Sequence, residues 1–107
     1  KWGVSYGHTF SEGSTDPEAI KGELAIGIEM ICYRMRAYGI RSSSFGGHIG
    51  FDKNDYPSIG FRFVTPSFTH ITKYVYDACM RELAELIDSF CQRKMAIRSL
   101  MISTQDM

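Results

Sequence analysis

Serine, threonine, glycine, histidine and arginine recur at every second position in three stretches of the chain, and that combination suits the holding of a phosphate backbone. In the first stretch Ser5, Gly7 and Thr9 share one parity; in the second Ser44, Gly46, His48 and Gly50 do; in the third Ser58, Gly60 and Arg62 do. Hydroxyls and backbone amides donate to phosphate oxygens without steric bulk, and glycine lets a ligand approach the main chain. Such contacts position a protein on nucleic acid without reading its sequence. Arg62, with His48 and Lys53, would neutralise only about two or three phosphates, which implies a modest salt dependence and weak binding. A solvated face accounts for the same alternation, because antiparallel sheets often keep one side wet.

Other chemistry finds no foothold. The chain has no GxSxG, HExxH, Walker or dinucleotide motif, and the cluster Gly46, Gly47 and Gly50 lies inside a strand pattern and does not open a helix. No catalytic residue and no cofactor is therefore expected in this chain. His8, His48 and His70 fall on different elements without ligand spacing, which argues against a metal site. Asp52 and Asp55, beside Lys53 and Asn54, read as turn-formers and not as an acid–base pair.

The small residues need elements that present them. Phe45, Gly47, Ile49 and Phe51 alternate with the polar set of the second stretch, and Ile59, Phe61 and Phe63 with that of the third. Ser43 to Val64 thus predicts a hairpin, greasy on one face and nearly bare on the other, joined by a turn-rich connector from Asp52 to Pro57. Trp2 to Phe10 predicts a strand of the same kind, followed by a loop from Ser11 to Thr15. Asp16, Pro17 and Glu18 form a helix start, and Gly39 closes that helix. Its apolar stripe is Ile20, Leu24, Gly27, Ile28, Ile31, Met35 and Tyr38, with Gly27 permitting close packing on a sheet.

Thr65 to Phe68 reads as a turn, and Thr69 as the N-cap of a second helix to about Cys91 whose inner face includes Ile71, Val75, Ala78, Cys79, Leu83, Leu86, Ile87 and Phe90. Met95 to Ser103 predicts a last strand with Leu100 and Ile102 inward. Arg98 is then out of phase unless the strand begins after it or bulges. The order is βαββαβ: an α+β, ferredoxin-like fold, with a four-stranded, mostly antiparallel sheet covered on one face by two helices.

With 107 residues the chain is expected to form a single domain, residues 1–107, able to bury its own core. Twelve basic and twelve acidic residues cancel, so no overall positive field announces a nucleic-acid partner, and any such binding depends on local placement. Cys32, Cys79 and Cys91 are odd in number and lack CxxC spacing, as expected of core thiols in a reducing, cytoplasmic setting. No apolar run approaches the roughly 18 residues needed to span a membrane. A first residue of Lys, not Met, is expected of a piece of a longer protein, although processing gives the same start.

Taken in order, several motifs resemble the little finger of Y-family translesion DNA polymerases, nearest the UmuC branch (the ImpB/MucB/SamB family). They are the opening VSYGHTF, the helix start at Asp16 to Ala19, the exit Tyr38-Gly39-Ile40, the hairpin, Thr65-Pro66 before the second helix, and RKMAIRSLMIS at the end. The resemblance implies a non-catalytic βαββαβ domain, C-terminal to a palm, fingers and thumb core, whose sheet lies in the DNA major groove and grips both backbones during translesion synthesis in DNA repair and the SOS response. It implies primer-template DNA, the polymerase core and a sliding clamp as partners. Magnesium is expected in the palm of the parent DNA-directed DNA polymerase and not here. Carried over by position, the first-strand motif points to Ser5, Gly7 and Thr9 and the third-strand motif to Ser58, Gly60 and Arg62. A ferredoxin-like protein-interaction or dimerisation domain is the alternative, since fold alone does not separate the two.

Overall fold

The structure, a computed structural model, describes residues 3–53 and 56–105. Its elements are β1 (Ser5–Ser14), α1 (Pro17–Tyr38), β2 (Ser42–Phe51), β3 (Ile59–Thr69), α2 (Thr72–Gln92) and β4 (Ile97–Thr104). The four strands form one sheet in the order β1-β4-β2-β3, and every pairing is antiparallel. Each βαβ crossover is therefore split by a strand of the other: β4 separates β1 from β2, and β2 separates β3 from β4. This is the expected α+β, ferredoxin-like arrangement. One core is shared by both helices and the inward strand residues, among them Phe45, Ile49, Phe63, Ile97, Leu100 and Ile102.

Helix α1 begins and ends where its capping residues require. The Asp16 carboxylate accepts the Glu18 N–H at 3.1 Å, Pro17 occupies the first turn, and Gly39 takes the left-handed conformation at φ 71°. The buried stripe is Ile20, Leu24, Gly27, Ile28, Ile31, Cys32 and Met35. Tyr38, expected on it, is 52% exposed. At the helix end an amphipathic ring can leave the core.

Helix α2 buries Val75, Ala78, Cys79, Leu83, Ile87, Phe90 and Cys91. Its start differs from the sequence reading. Thr69 is the last residue of β3, paired with Ser42, and its hydroxyl accepts the Ile71 N–H at 3.0 Å. Ile71 takes the N-cap position without a side-chain cap and is 46% exposed, so it does not belong to the inner stripe.

Both edge strands run further than expected. Ser44 pairs with Val64 and Ser42 with Thr69, so Thr65 to Phe68 is an irregular part of β3 and not a separate turn. Pro66 is tolerated there because an edge strand has one side free of ladder hydrogen bonds. Likewise β1 continues through Ser11 to Ser14, with its register shift between Thr9 and Ser14; Trp2 lies outside the described residues. On β4, Ser99 pairs with Gly50 and Ile97 with Phe51, so Arg98 is the extra residue of a bulge. Its phase is thereby resolved: Ile97 and Leu100, of opposite parity, are both buried, and Arg98 meets Asp52 at 2.8 Å.

Candidate nucleic-acid interface

The sheet face opposite the helices is assembled in rows by strand register. Ser5 stands opposite Ser103, Ser103 opposite Gly46, and Gly46 opposite Arg62. The next outward row is Gly7, Met101, His48 and Gly60, and the third is Thr9, Ser99 and Gly50. The sequence-derived set on β1, β2 and β3 is thus brought onto one surface. Ser58 is exposed just before β3, beyond the last registered pair. Ser44 shares the parity but is buried, and its hydroxyl accepts from Arg62 Nη2 at 3.3 Å, so it braces the guanidinium and is not itself presented.

Residues Ser99, Met101 and Ser103 of β4, with Gln105 just beyond it, complete the surface and escaped sequence reading. The bulge at Arg98 obscures the strand's start, not their parity. The alternation that turns Leu100 and Ile102 inward turns Ser99, Met101 and Ser103 outward, a signal already present in the sequence. Gln105 donates from Nε2 to Ser103 Oγ at 3.1 Å. Together with Arg62, His48 and Met101 it borders a depression of about 540 Å³ whose floor is glycine.

The glycines of the sheet are of two kinds. A Cβ at Gly47 would collide with the Met101 carbonyl and one at Gly50 with the Ser99 hydroxyl, and one at Gly46 would come within 3.0 Å of the Phe61 carbonyl oxygen. Backbone holds Gly46 and Gly47 bare, whereas at Gly50 the obstacle is a hydroxyl that can rotate. Gly7 and Gly60 are different: a Cβ there would meet only a carbonyl oxygen, at 3.7 Å and 3.8 Å, which is ordinary contact. Packing within the domain does not demand glycine at either position.

The electrostatics of the face are also distinct from those of the whole chain. The segments 5–9, 44–50, 59–64 and 99–104, which carry the outward rows, contain no Asp or Glu, whereas Arg62 and His48 lie on them. Seven of the twelve acids sit on the helices, Glu18, Glu23 and Glu29 on α1 and Asp77, Glu82, Glu85 and Asp88 on α2, while Glu12 lies near the end of β1 and Asp52 just past β2. Zero net charge therefore conceals registered outward rows that carry Arg62 and His48 and no carboxylate, whereas α1 balances its three acids with Lys21, Arg34 and Arg36 and α2 sets four acids against Lys73 and Arg81.

Away from this face, Tyr6 donates its hydroxyl to Glu23 Oε2 at 2.5 Å, and that bond, with some burial, raises the phenol above its ordinary value. Burial pushes the Cys79 thiol up to about 12 and raises Cys32 and Cys91 as well, which leaves all three poor nucleophiles. Among the described residues no group of three or more His, Cys, Asp or Glu side chains could hold a metal ion. Asp52, paired with Arg98, fixes the entry to the β2–β3 connector; Asp55 lies outside the described residues. No helix among the described residues is long and apolar enough to cross a membrane.

No protein-family model and no curated protein sequence matches the chain. Solved structures do. A Y-family DNA polymerase chimera of Dbh and Dpo4 superposes with a TM-score of 0.70 at 13% identity, over 100% of this chain and 29% of that one. A chain from the complex of the β-clamp processivity factor and the little finger domain of PolIV does so with a TM-score of 0.66 at 9% identity, over 99% of this chain and 89% of that one. DinB from Sulfolobus solfataricus gives a TM-score of 0.66 at 10% identity, over 96% of this chain and 28% of that one. At such identities the likeness is one of fold, and the chain spans less than a third of the polymerase chains it matches.

Proposed function

We propose that this chain is a DNA-binding little finger domain of a Y-family lesion-bypass DNA polymerase, one domain over residues 1–107 within a longer enzyme. The observation that carries the reading is the outward sheet surface. It is registered across four strands, its registered rows carry no carboxylate, and it is bare at Gly7 and Gly60, where the domain's own packing has room for a Cβ. Its two edge strands lie three inter-strand spacings apart, about 14 Å, close to the major groove's width of about 12 Å. Strands β1 and β3 can then each follow one phosphate backbone while β4 and β2 span the groove. Ser5, Gly7 and Thr9 serve one backbone, and Ser58, Gly60 and Arg62, braced by Ser44, serve the other.

Contacts of this type hold primer-template DNA without regard to its sequence, which suits synthesis past damaged templates in DNA repair. The order of the sequence motifs supports the UmuC branch and with it a role in the SOS response. The nucleotidyl transfer and its magnesium ions belong to a palm, fingers and thumb core, for which this chain has no residues, and a sliding clamp is a further partner of the whole enzyme. Amide chemical shifts of the 107-residue chain, followed as a short primer-template duplex is added, test the proposal. Movement concentrated in Ser5–Thr9, Gly46–Gly50, Ser58–Arg62 and Ser99–Ser103 supports it, and movement confined to α1 and α2 contradicts it.

A further inference from the structure

The middle outward row, Gly7-Met101-His48-Gly60, has a profile that its neighbours lack. Its two ends have no side chain at all, and its two central positions, on β4 and β2, carry the bulk. The row beside it reads Ser5, Ser103, Gly46 and Arg62, small at its centre and large at one edge; the third reads Thr9, Ser99 and Gly50. Met101 is 38% exposed although it lies between the buried Leu100 and Ile102, and His48 is exposed beside it. Across the strands the middle row is therefore convex, a ridge of one thioether and one imidazole between two bare shoulders.

The ridge has no counterpart in the packing of the domain, since Gly7 and Gly60 could each accept a Cβ. Bare shoulders let the main chain of β1 and β3 approach the phosphates directly, and that lowers the centre of the sheet toward the groove floor. We infer that Met101 and His48 contact base edges in the major groove, making binding sensitive to the groups displayed there. The inference rests on the duplex-binding function proposed above. Met101, apolar and flexible, suits the thymine C5-methyl group. His48 offers a ring N–H to a purine N7 or to O6 of guanine. Backbone contacts by Ser5, Thr9 and Arg62 then supply the sequence-independent part of binding, and this pair supplies discrimination.

The test uses the 107-residue chain and labelled duplexes that differ only in the groove. Replacing thymine by uracil removes the methyl, and replacing guanine by 7-deazaguanine removes the N7 acceptor. The wild-type chain is expected to lose about three- to fivefold in affinity for the uracil duplex, the scale of one buried methyl contact. M101A should not distinguish uracil from thymine, and H48A should not distinguish 7-deazaguanine from guanine. Wild-type binding that is salt-dependent yet indifferent to both replacements overturns the inference and leaves the DNA-binding reading standing. Failure to bind any duplex at low salt overturns both.

Discussion

A Cβ placed on Gly27 of α1 would lie 2.5 Å from Cδ2 of the Tyr6 ring on β1, closer than packed atoms approach. The glycine therefore sets how near the helix lies to the first strand, and Tyr6, tied to Glu23 on the same helix, cannot swing away without breaking that bond. Gly22, earlier on α1, has open space where a Cβ would sit, with nothing within 4 Å. The two glycines should respond oppositely to alanine. G22A should stabilise the fold by about 1 kcal/mol, the helix-propensity gain, and G27A should destabilise it by about 1–3 kcal/mol through overpacking. Urea denaturation at neutral pH measures both, and equal shifts of the same sign would show that Gly27 is not a packing residue.

The N-terminal end of β1 is fastened through Thr104. Its Oγ1 accepts the Val4 N–H at 3.0 Å, and its own N–H donates to the Val4 carbonyl at 2.9 Å, with both residues buried. T104V keeps the shape but leaves a buried amide without its acceptor, which should cost about 1–3 kcal/mol. T104S retains the oxygen and should recover much of that loss. A valine variant as stable as wild type would show that water reaches the Val4 amide.

Stability should fall on the alkaline side. Burial raises all three thiols, and that of Cys79 reaches about 12 from an ordinary 9.0. Above pH 9 the unfolded chain releases those protons while the folded chain keeps them, so the unfolded state is favoured as pH rises through this window. Cys79 alone removes about 2 kcal/mol between about pH 8 and pH 10.5, and the raised Tyr6 phenol adds a loss of the same sign above about 10. Urea midpoints at the two pH values provide the check. The C79A variant should show a smaller fall than wild type; an unchanged wild-type midpoint would contradict the linkage.

Glycines that packing does not explain can be separated from those that it does. Valine at Gly7 or Gly60 fits a pleated edge strand and should leave stability unchanged or raise it by up to about 1 kcal/mol. The same substitutions should weaken duplex binding at least about fivefold by holding the main chain away from phosphate. Thermal melting and a binding titration on the same samples decide the matter. Variants that bind as well as wild type would show the bare face to be merely solvated.

Much of this architecture is written in alternation and capping, and the departures occur where those signals are interrupted. Asp16, Pro17 and Gly39 bracket α1 because capping is local, so its ends are readable without tertiary knowledge. Thr69 misleads for the same reason: its hydroxyl does accept a nearby N–H, but pairing with Ser42 keeps the residue in β3, and tertiary pairing outweighs a local cap. On β4 the parity of Leu100 and Ile102 already implies Ser99, Met101 and Ser103 outward, and only the phase of Arg98 is hidden, by a bulge that breaks the period of two on which parity depends. The burial of Ser44 is equally out of reach, since it depends on where the Arg62 side chain lies across the strand. The absence of carboxylates from the registered outward rows is invisible to a net charge of zero and emerges only once register places the segments together.

The most direct test of the sheet face is the salt dependence of duplex binding by fluorescence anisotropy, for the wild-type chain and for R62A. With about two or three phosphates neutralised, the slope of log affinity against log salt should be about −2 to −3, and R62A should weaken binding and make the slope shallower by about one. A slope that R62A leaves unchanged, or wild-type binding insensitive to salt, would contradict the assignment of DNA to this face.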